Sequence, residues 1–212
     1  MTVQLIWATP NADKHIAFMA RVSNPDNQNN EEFSRLLNYL MKHGHYSPFE
    51  MVSMCLEINT TRDISRQILR HRSFVFQEFS QRYEDAGKLG DMVERECRLQ
   101  DVNNRQNSIE CDDASKNFHF NLAQSETWAT SLKFYNWALS QGIAKEQARA
   151  LLPEGLTPTR MYMSGTLRSW IHYIQVRAND DTQKEHRIIA EQAKSILYDV
   201  APITAAAFFG AI

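Results

Sequence analysis

The run from Val52 to Ile58 limits the choice of fold more than any other stretch. Val52, Met54, Leu56 and Ile58 alternate with Ser53, Cys55 and Glu57. Successive side chains of an extended segment point to opposite sides, so this period of two marks a strand with one apolar face. Helix signals flank it on both sides. Upstream, Phe33, Leu36, Leu37, Leu40 and Met41 recur at three- and four-residue steps, predicting a helix over 31–43 that Gly44 ends. Ser47, Pro48 and Glu50 match a capping box with proline at the first helical position, read as one short turn feeding the strand. Downstream, Thr60 or Thr61 caps a helix of roughly residues 62–71, with Ile64, Ile68 and Leu69 on its buried side. Helix, strand and helix follow one another here, so the chain mixes both kinds of element.

The remaining elements agree. Residues 3–8 read as a strand, 11–22 as a helix and 24–27 as a turn. Helices are expected over 121–141 and 145–152, the second stopped by Pro153, and a strand over 157–164. Thr166 caps a strongly amphipathic helix with Leu167, Trp170, Ile171 and Ile174 on one side. Its other faces carry Arg168, His172, Gln175 and Arg177, with neither Lys nor Glu. Residues 183–200 form the last long helix, with Ile188, Ile189, Ala193, Ile196 and Leu197 inward, and Pro202 breaks it before an apolar tail. The polar segment 84–117 reads as a surface excursion, or a flap over a site, within a single domain spanning 1–212.

Composition excludes several classes. A net charge of −2 argues against a general nucleic-acid or membrane-surface binder. No apolar run reaches the roughly 20 residues of a membrane helix, and the first ten residues lack a targeting signal. Cys55, Cys97 and Cys111 show neither CxxC nor framework spacing, which places the chain in a reducing, cytoplasmic setting. No phosphate-binding loop, Gly-x-Gly or Gly-x-Ser-x-Gly occurs. His43 and His45 lack further ligands at a suitable spacing, so no metal site is assigned.

The chemistry concentrates in Arg70-His71-Arg72, the aromatic run that follows, and Glu78-Phe79-Ser80-Gln81-Arg82. In an extended segment Glu78, Ser80 and Arg82 share one face, offering a carboxylate, a hydroxyl and a guanidinium in a row. A surface ion network is the plainer reading of these charges. Against it stand Arg62, Arg66 and Arg70, which fall on one helical face, with Asp63 the only acid between 58 and 77. A cationic cluster left unneutralised by its own neighbourhood points to an anionic ligand.

These residues resemble the signature of flavin-dependent thymidylate synthases, in which Arg-His-Arg is followed after seven residues by Ser. Ser80 stands at that distance from Arg72, and Glu78 and Arg82 also fall in place. Val75 replaces the family's Ser, and Gln77 its Asn. Further segments match in order: Ala20 to Ser23, Met41 to Glu50, Ala148 to Pro153, Leu167 to Ala178, and Gln183 to Glu185. The resemblance implies an α+β fold, helices packed on a small, mainly antiparallel sheet, in a homotetramer with shared sites. It implies conversion of dUMP to dTMP, with methylenetetrahydrofolate as carbon donor and NADPH as reductant through bound FAD. FAD-contacting positions are then Ser47, Arg70, His71, Arg72, Glu78, Thr166, Arg168 and His172. The dUMP-contacting positions are Gln67, Arg70, Glu78, Ser80, Gln81, Arg82, Arg149 and Arg177. Arg177 matches the arginine at the uracil edge, where it would stabilise charge developing on the ring. Ser80 lacks a committed base and is assigned to binding.

Overall fold

The computed structural model describes residues 1–211. Strand β2 (Ser53–Thr61) is the predicted alternating run, and it sits inside a four-stranded antiparallel sheet. β1 (Thr2–Ala8) pairs along one side, with an irregularity between Leu5 and Trp7. β6 (Pro158–Thr166) pairs along the other, and β3 (Val75–Glu78) pairs with the far side of β6. The order β1-β2-β6-β3 therefore inserts a late strand between two early ones. Met54, Leu56, Ile58, Met161 and Met163 are fully buried beneath α6 (Leu167–Arg177) and α7 (Lys184–Val200).

Gly165 shows why local sequence matters here. A Cβ at that position would lie 2.5 Å from Cδ1 of Phe74. Without one, Phe74 packs edge-on against Trp170, ring centres 4.8 Å apart, and pins the loop before β3 to α6. Thr166 caps α6 as expected, its hydroxyl accepting from the amide of Ser169 at 3.3 Å. The burial of α6 is broader than its four apolar positions suggested, because Tyr173 is fully buried as well.

Several expectations need correction. The turn at Ser47–Glu50 forms with 3₁₀ geometry, but Ser47 makes no capping bond, so the reciprocal box is not closed. Helix α3 is Arg62–Ile68 and stops before Arg70, so Arg70 does not share a helical face with Arg62 and Arg66. The helix expected at 121 starts at Ala114, because Asp113 accepts from the amides of Ser115 and Lys116 at 3.0 and 3.1 Å. That helix is α4 (Ala114–Ser140). Ile188 is 39% exposed, and His186 takes an inward place instead.

The apolar tail folds as α8 (Pro202–Phe209). Its first turn is capped from α1 (Ala12–Ala20): Asp13 accepts from the amides of Ile203 and Thr204 and from the Thr204 hydroxyl at 2.8, 3.1 and 2.6 Å. The other helices are α2 (Ser34–Lys42) and α5 (Lys145–Ala148), the latter continued by one 3₁₀ turn at Arg149–Leu151.

Segment 84–117 carries a hairpin, β4 (Arg98–Gln100) with β5 (Ser108–Glu110). Its base is tied down. Arg98 donates to Glu185 at 2.8 Å, and Arg95 donates to Asp63 at 2.6 Å. The three cysteines are free thiols. Among the described residues no helix is long and apolar enough to cross a membrane.

Candidate functional site

The arginine stretch is delivered by a change of direction. After α3 the chain makes consecutive turns, with His71 N–H donating to Ile68 at 3.0 Å and Phe74 N–H to His71 at 3.4 Å, and then enters β3. Phe74, Phe76 and Glu78 point inward, while Val75 and Gln77 are exposed on the outer face. The alternation ends there. Tyr83 and Glu84 both donate their amides to the Ser80 carbonyl, at 3.0 and 3.1 Å, so the chain curls after Phe79. The expected single face of Glu78, Ser80 and Arg82 therefore does not form. Ser80 is half-buried, Gln81 is buried and Arg82 is exposed.

The cationic cluster is also partly neutralised by partners distant in sequence. Glu78 Oε1 accepts from Arg62 at 2.8 Å, from Ser65 at 2.8 Å and from Thr159 at 2.9 Å. Glu78 thus ties α3 to β6, which leaves its second oxygen as the atom open to a ligand. Arg66 pairs with Glu154, Arg82 with Glu146 and Arg168 with Glu50. Among the described residues Arg70, Arg72, Arg149 and Arg177 have no acidic partner. Those four can take an anion without releasing a carboxylate, whereas Arg82 and Arg168 must first give up exposed pairs.

Arg177, at the end of α6, meets His71 from the turn after α3. Its Nε donates to Nε2 of His71 at 2.9 Å. An acceptor nitrogen requires a neutral ring. Burial, then the charges of Arg177, His172 and Arg70, pull the His71 imidazole down to about 4. The bond spends only Nε, so both terminal nitrogens of the half-buried Arg177 guanidinium stay available as a fork.

The remaining expected residues fall into two depressions. One, of about 400 Å³, is lined by Arg168 and His172 with Tyr46, Phe49 and Phe208. Ser47 lies beside it on the exposed turn, and Thr166 caps the helix that brings Arg168 and His172 there. The other, of about 520 Å³, gathers Gln81 and Arg149 with Arg62 and Arg66. Gln67 stands apart from both, bonded to Gln183 at 2.8 Å and to His186 at 3.3 Å. Arg70 and Arg72 are exposed on the turn leading to β3.

Sequence reasoning gave Glu50 and Glu185 no role beyond a capping box and matched segments, and it missed Tyr173 and His186. Tyr173 and His186 are fully buried and bonded to each other at 3.1 Å. Burial raises the Tyr173 hydroxyl above its ordinary range and lowers His186 to about 3. Glu185 is pushed up by burial, yet hydrogen bonds led by that from Arg98 hold it at about 2. No local pattern marks Tyr173 and His186, since their roles depend on partners brought together from different helices. His43 has a structural role, its Nδ1 2.9 Å from the Tyr39 carbonyl and its ring stacked on Tyr39.

An α+β fold that leaves guanidinium groups without carboxylates, one of them beside a neutral histidine, and opens two depressions lined by arginine has the chemistry of a protein that binds small phosphorylated ligands. Residues 4–203 match the family described as thymidylate synthase complementing protein, and the chain belongs to that family. It is 53% identical over 195 residues to the flavin-dependent thymidylate synthase of Synechocystis sp., covering 91% of this chain and 87% of that one. It is 45% identical over 208 residues to a probable flavin-dependent thymidylate synthase of Paramecium bursaria Chlorella virus 1, covering 98% and 95%. Among solved structures, the UMP/dUMP methylase PolB of Streptomyces cacaoi bound with 5-Br dUMP superposes with a TM-score of 0.86 at 26% identity, covering 99% of this chain and 95% of that one.

Proposed function

We propose that this chain is a flavin-dependent thymidylate synthase, converting dUMP to dTMP with methylenetetrahydrofolate as carbon donor and NADPH as reductant. The observation that carries the reading is Arg177. It is a half-buried guanidinium without a carboxylate, held through Nε by a neutral imidazole. Such a group lowers the energy of negative charge that develops on a bound ring. Placed at the uracil edge, it would activate C5 toward the one-carbon unit.

The residues fit a flavin dinucleotide through their chemistry. Arg70 and Arg72 are exposed cations lacking acidic partners, and Arg168 and His172 sit in a depression walled by Tyr46 and Phe208. Arg70, His71, Arg72, Arg168 and His172 would hold the diphosphate and flank the ring. Ser47, Thr166 and the free oxygen of Glu78 supply polar contacts. When bound, FAD carries the reducing equivalents from NADPH. Arg82 and Arg149 grip the 5′-phosphate of dUMP bidentately, while Ser80 and Gln81 add hydrogen bonds from the curled turn. Gln67, Arg70, Glu78 and Arg177 address the nucleoside.

These groups are spread over two depressions, an exposed turn and the contacts between α3, α6 and α7 of one chain, so a complete site needs surfaces from neighbours. A homotetramer supplies them. The apolar residues exposed on α4, led by Phe118 at 64% and Trp137 at 54%, favour such an assembly. The outer turn of the β4–β5 hairpin, where Asn104 donates to Asp181 at 3.2 Å in an exposed bond, is the part of 84–117 that would act as a flap, because Arg95 and Arg98 hold the base. The free thiols suit a cytoplasmic setting.

The purified protein is expected to be yellow, to bleach on adding NADPH, and to form dTMP only with dUMP and the folate present. Arg177→Ala is expected to keep the flavin spectrum and lose roughly 100-fold or more in kcat. A colourless protein that stays inactive with added FAD, or full activity in that variant, would overturn the assignment.

A further inference from the structure

His186 has no part in the reading above, yet both its ring nitrogens are engaged at the centre of a directed chain of hydrogen bonds. Nε2 lies 3.1 Å from the Tyr173 hydroxyl and Nδ1 lies 3.3 Å from Gln67 Oε1. Gln67 Nε2 donates to Gln183 Oε1 at 2.8 Å, and Gln183 Nε2 donates to Glu185 Oε2 at 2.9 Å. Glu185 also accepts from Arg98 at 2.8 Å.

The far end fixes every direction. A carboxylate only accepts, so Gln183 turns its nitrogen toward Glu185 and its oxygen toward Gln67. Gln67 must then turn its nitrogen to Gln183 and its oxygen to His186. That makes Nδ1 the protonated ring nitrogen, Nε2 the acceptor and Tyr173 the donor. The chain runs from α6 through α7 to α3 and is anchored at the base of the β4–β5 hairpin. Each amide is held in one of its two flip states.

We propose that His186 is a positioning residue for the pyrimidine nucleotide, acting through Gln67. This rests on the reading that Gln67 contacts dUMP. With one hydrogen of Nε2 and one lone pair of Oε1 engaged inside the protein, the second hydrogen and second lone pair of Gln67 occupy fixed places. The uracil ring alternates carbonyl oxygens with an N–H, so a fixed donor and acceptor select its register. Gln183 sets which end of Gln67 donates, and His186, bonded to Oε1, supplies the second point that fixes the plane of the amide. Order imposed before binding lowers the cost of immobilising the side chain.

The test compares substitutions that fill the same buried place. His186→Leu keeps volume but removes both nitrogens. His186→Asn puts an amide N–H near the position of Nδ1 and can still donate to Gln67. His186→Gln reaches the Nε2 side only. Freeing one immobilised side chain corresponds to roughly a three- to tenfold change. The KM for dUMP is therefore expected to rise by about that much in the Leu and Gln variants, with kcat changed far less. The Asn variant is expected to stay near wild type. Equal KM values for Asn and Gln, or a wild-type KM for Leu, would overturn the proposal; should Leu not fold, the Asn–Gln comparison decides alone. Gln67→Ala separates the layers. An unchanged KM in that variant removes the contact on which the proposal rests. If its KM rises but the His186 series is flat, the contact stands and the positioning role fails.

Discussion

At the scale of single residues, the question is which charges hold the protein together and which wait for a ligand. Glu78 is assigned to both binding sites by resemblance, yet its Oε1 is bonded to Arg62, Ser65 and Thr159. Its pair with Arg62 is mostly shielded, side-chain exposure being 16% and 17%. Glu78→Gln is therefore expected to lower stability by about 2–3 kcal/mol, since a partly buried arginine loses its countercharge. Chemical denaturation would show this as a lower midpoint at unchanged slope. Arg82→Ala is the contrast. Its pair with Glu146 is exposed, and such pairs contribute about 0–1 kcal/mol, so the variant is expected to fold normally and lose dUMP binding.

The two neutral histidines give a pH dependence with a definite sign. His71 is lowered to about 4 and His186 to about 3, both from 6.5. Between these values and 6.5 the unfolded chain binds protons that the folded chain refuses. Their contribution to stability is therefore full above 6.5 and is lost as the pH falls through that window. Denaturation midpoints across it are expected to fall less steeply in His186→Leu than in the wild type; parallel curves would contradict this account.

At the scale of elements, the position of α6 matters most, because it carries Arg168, His172 and Arg177. Its first turn is set by the Thr166 cap, and the loop before β3 is set against it by Phe74 lying over Gly165. Thr166→Ala is expected to cost about 1 kcal/mol through the lost cap. Gly165→Ala forces a methyl group against the Phe74 ring and is expected to cost roughly 1–3 kcal/mol. Because Phe74 adjoins the Arg70 to Arg72 turn, the Gly165 variant is also expected to bind flavin more weakly. Flavin retention on gel filtration tests this, and normal retention at reduced stability would confine the effect to packing.

For the whole molecule, the surface of α4 carries the argument. A helix with Phe118, Leu122, Phe134 and Trp137 exposed is costly to leave in water. A tetramer of 24.6 kDa chains has a mass of about 98 kDa. Sedimentation is expected to find that mass, and Trp137→Glu with Phe134→Glu to shift it toward the single chain with loss of activity. A fully active monomer would separate assembly from function.

Sequence by itself determined the elements whose signals are local. The alternation from Val52 to Ile58 gave β2, the Thr166 cap and apolar stripe gave α6, and the ordered motifs around Arg70-His71-Arg72 identified the family. Local signals suffice there because backbone geometry and capping act within one turn or a few strand residues. What only the tertiary structure decided concerns partners far apart in the chain. It closed Glu78 onto Arg62 and Thr159, left Arg70, Arg72, Arg149 and Arg177 without carboxylates, and curled Ser80 out of line with Glu78. It also joined Tyr173, His186, Gln67 and Glu185 into one directed chain across three helices. Side-chain charge and hydrogen bonding act through space at a few ångströms, and no spacing in the sequence records which distant groups the fold brings that close.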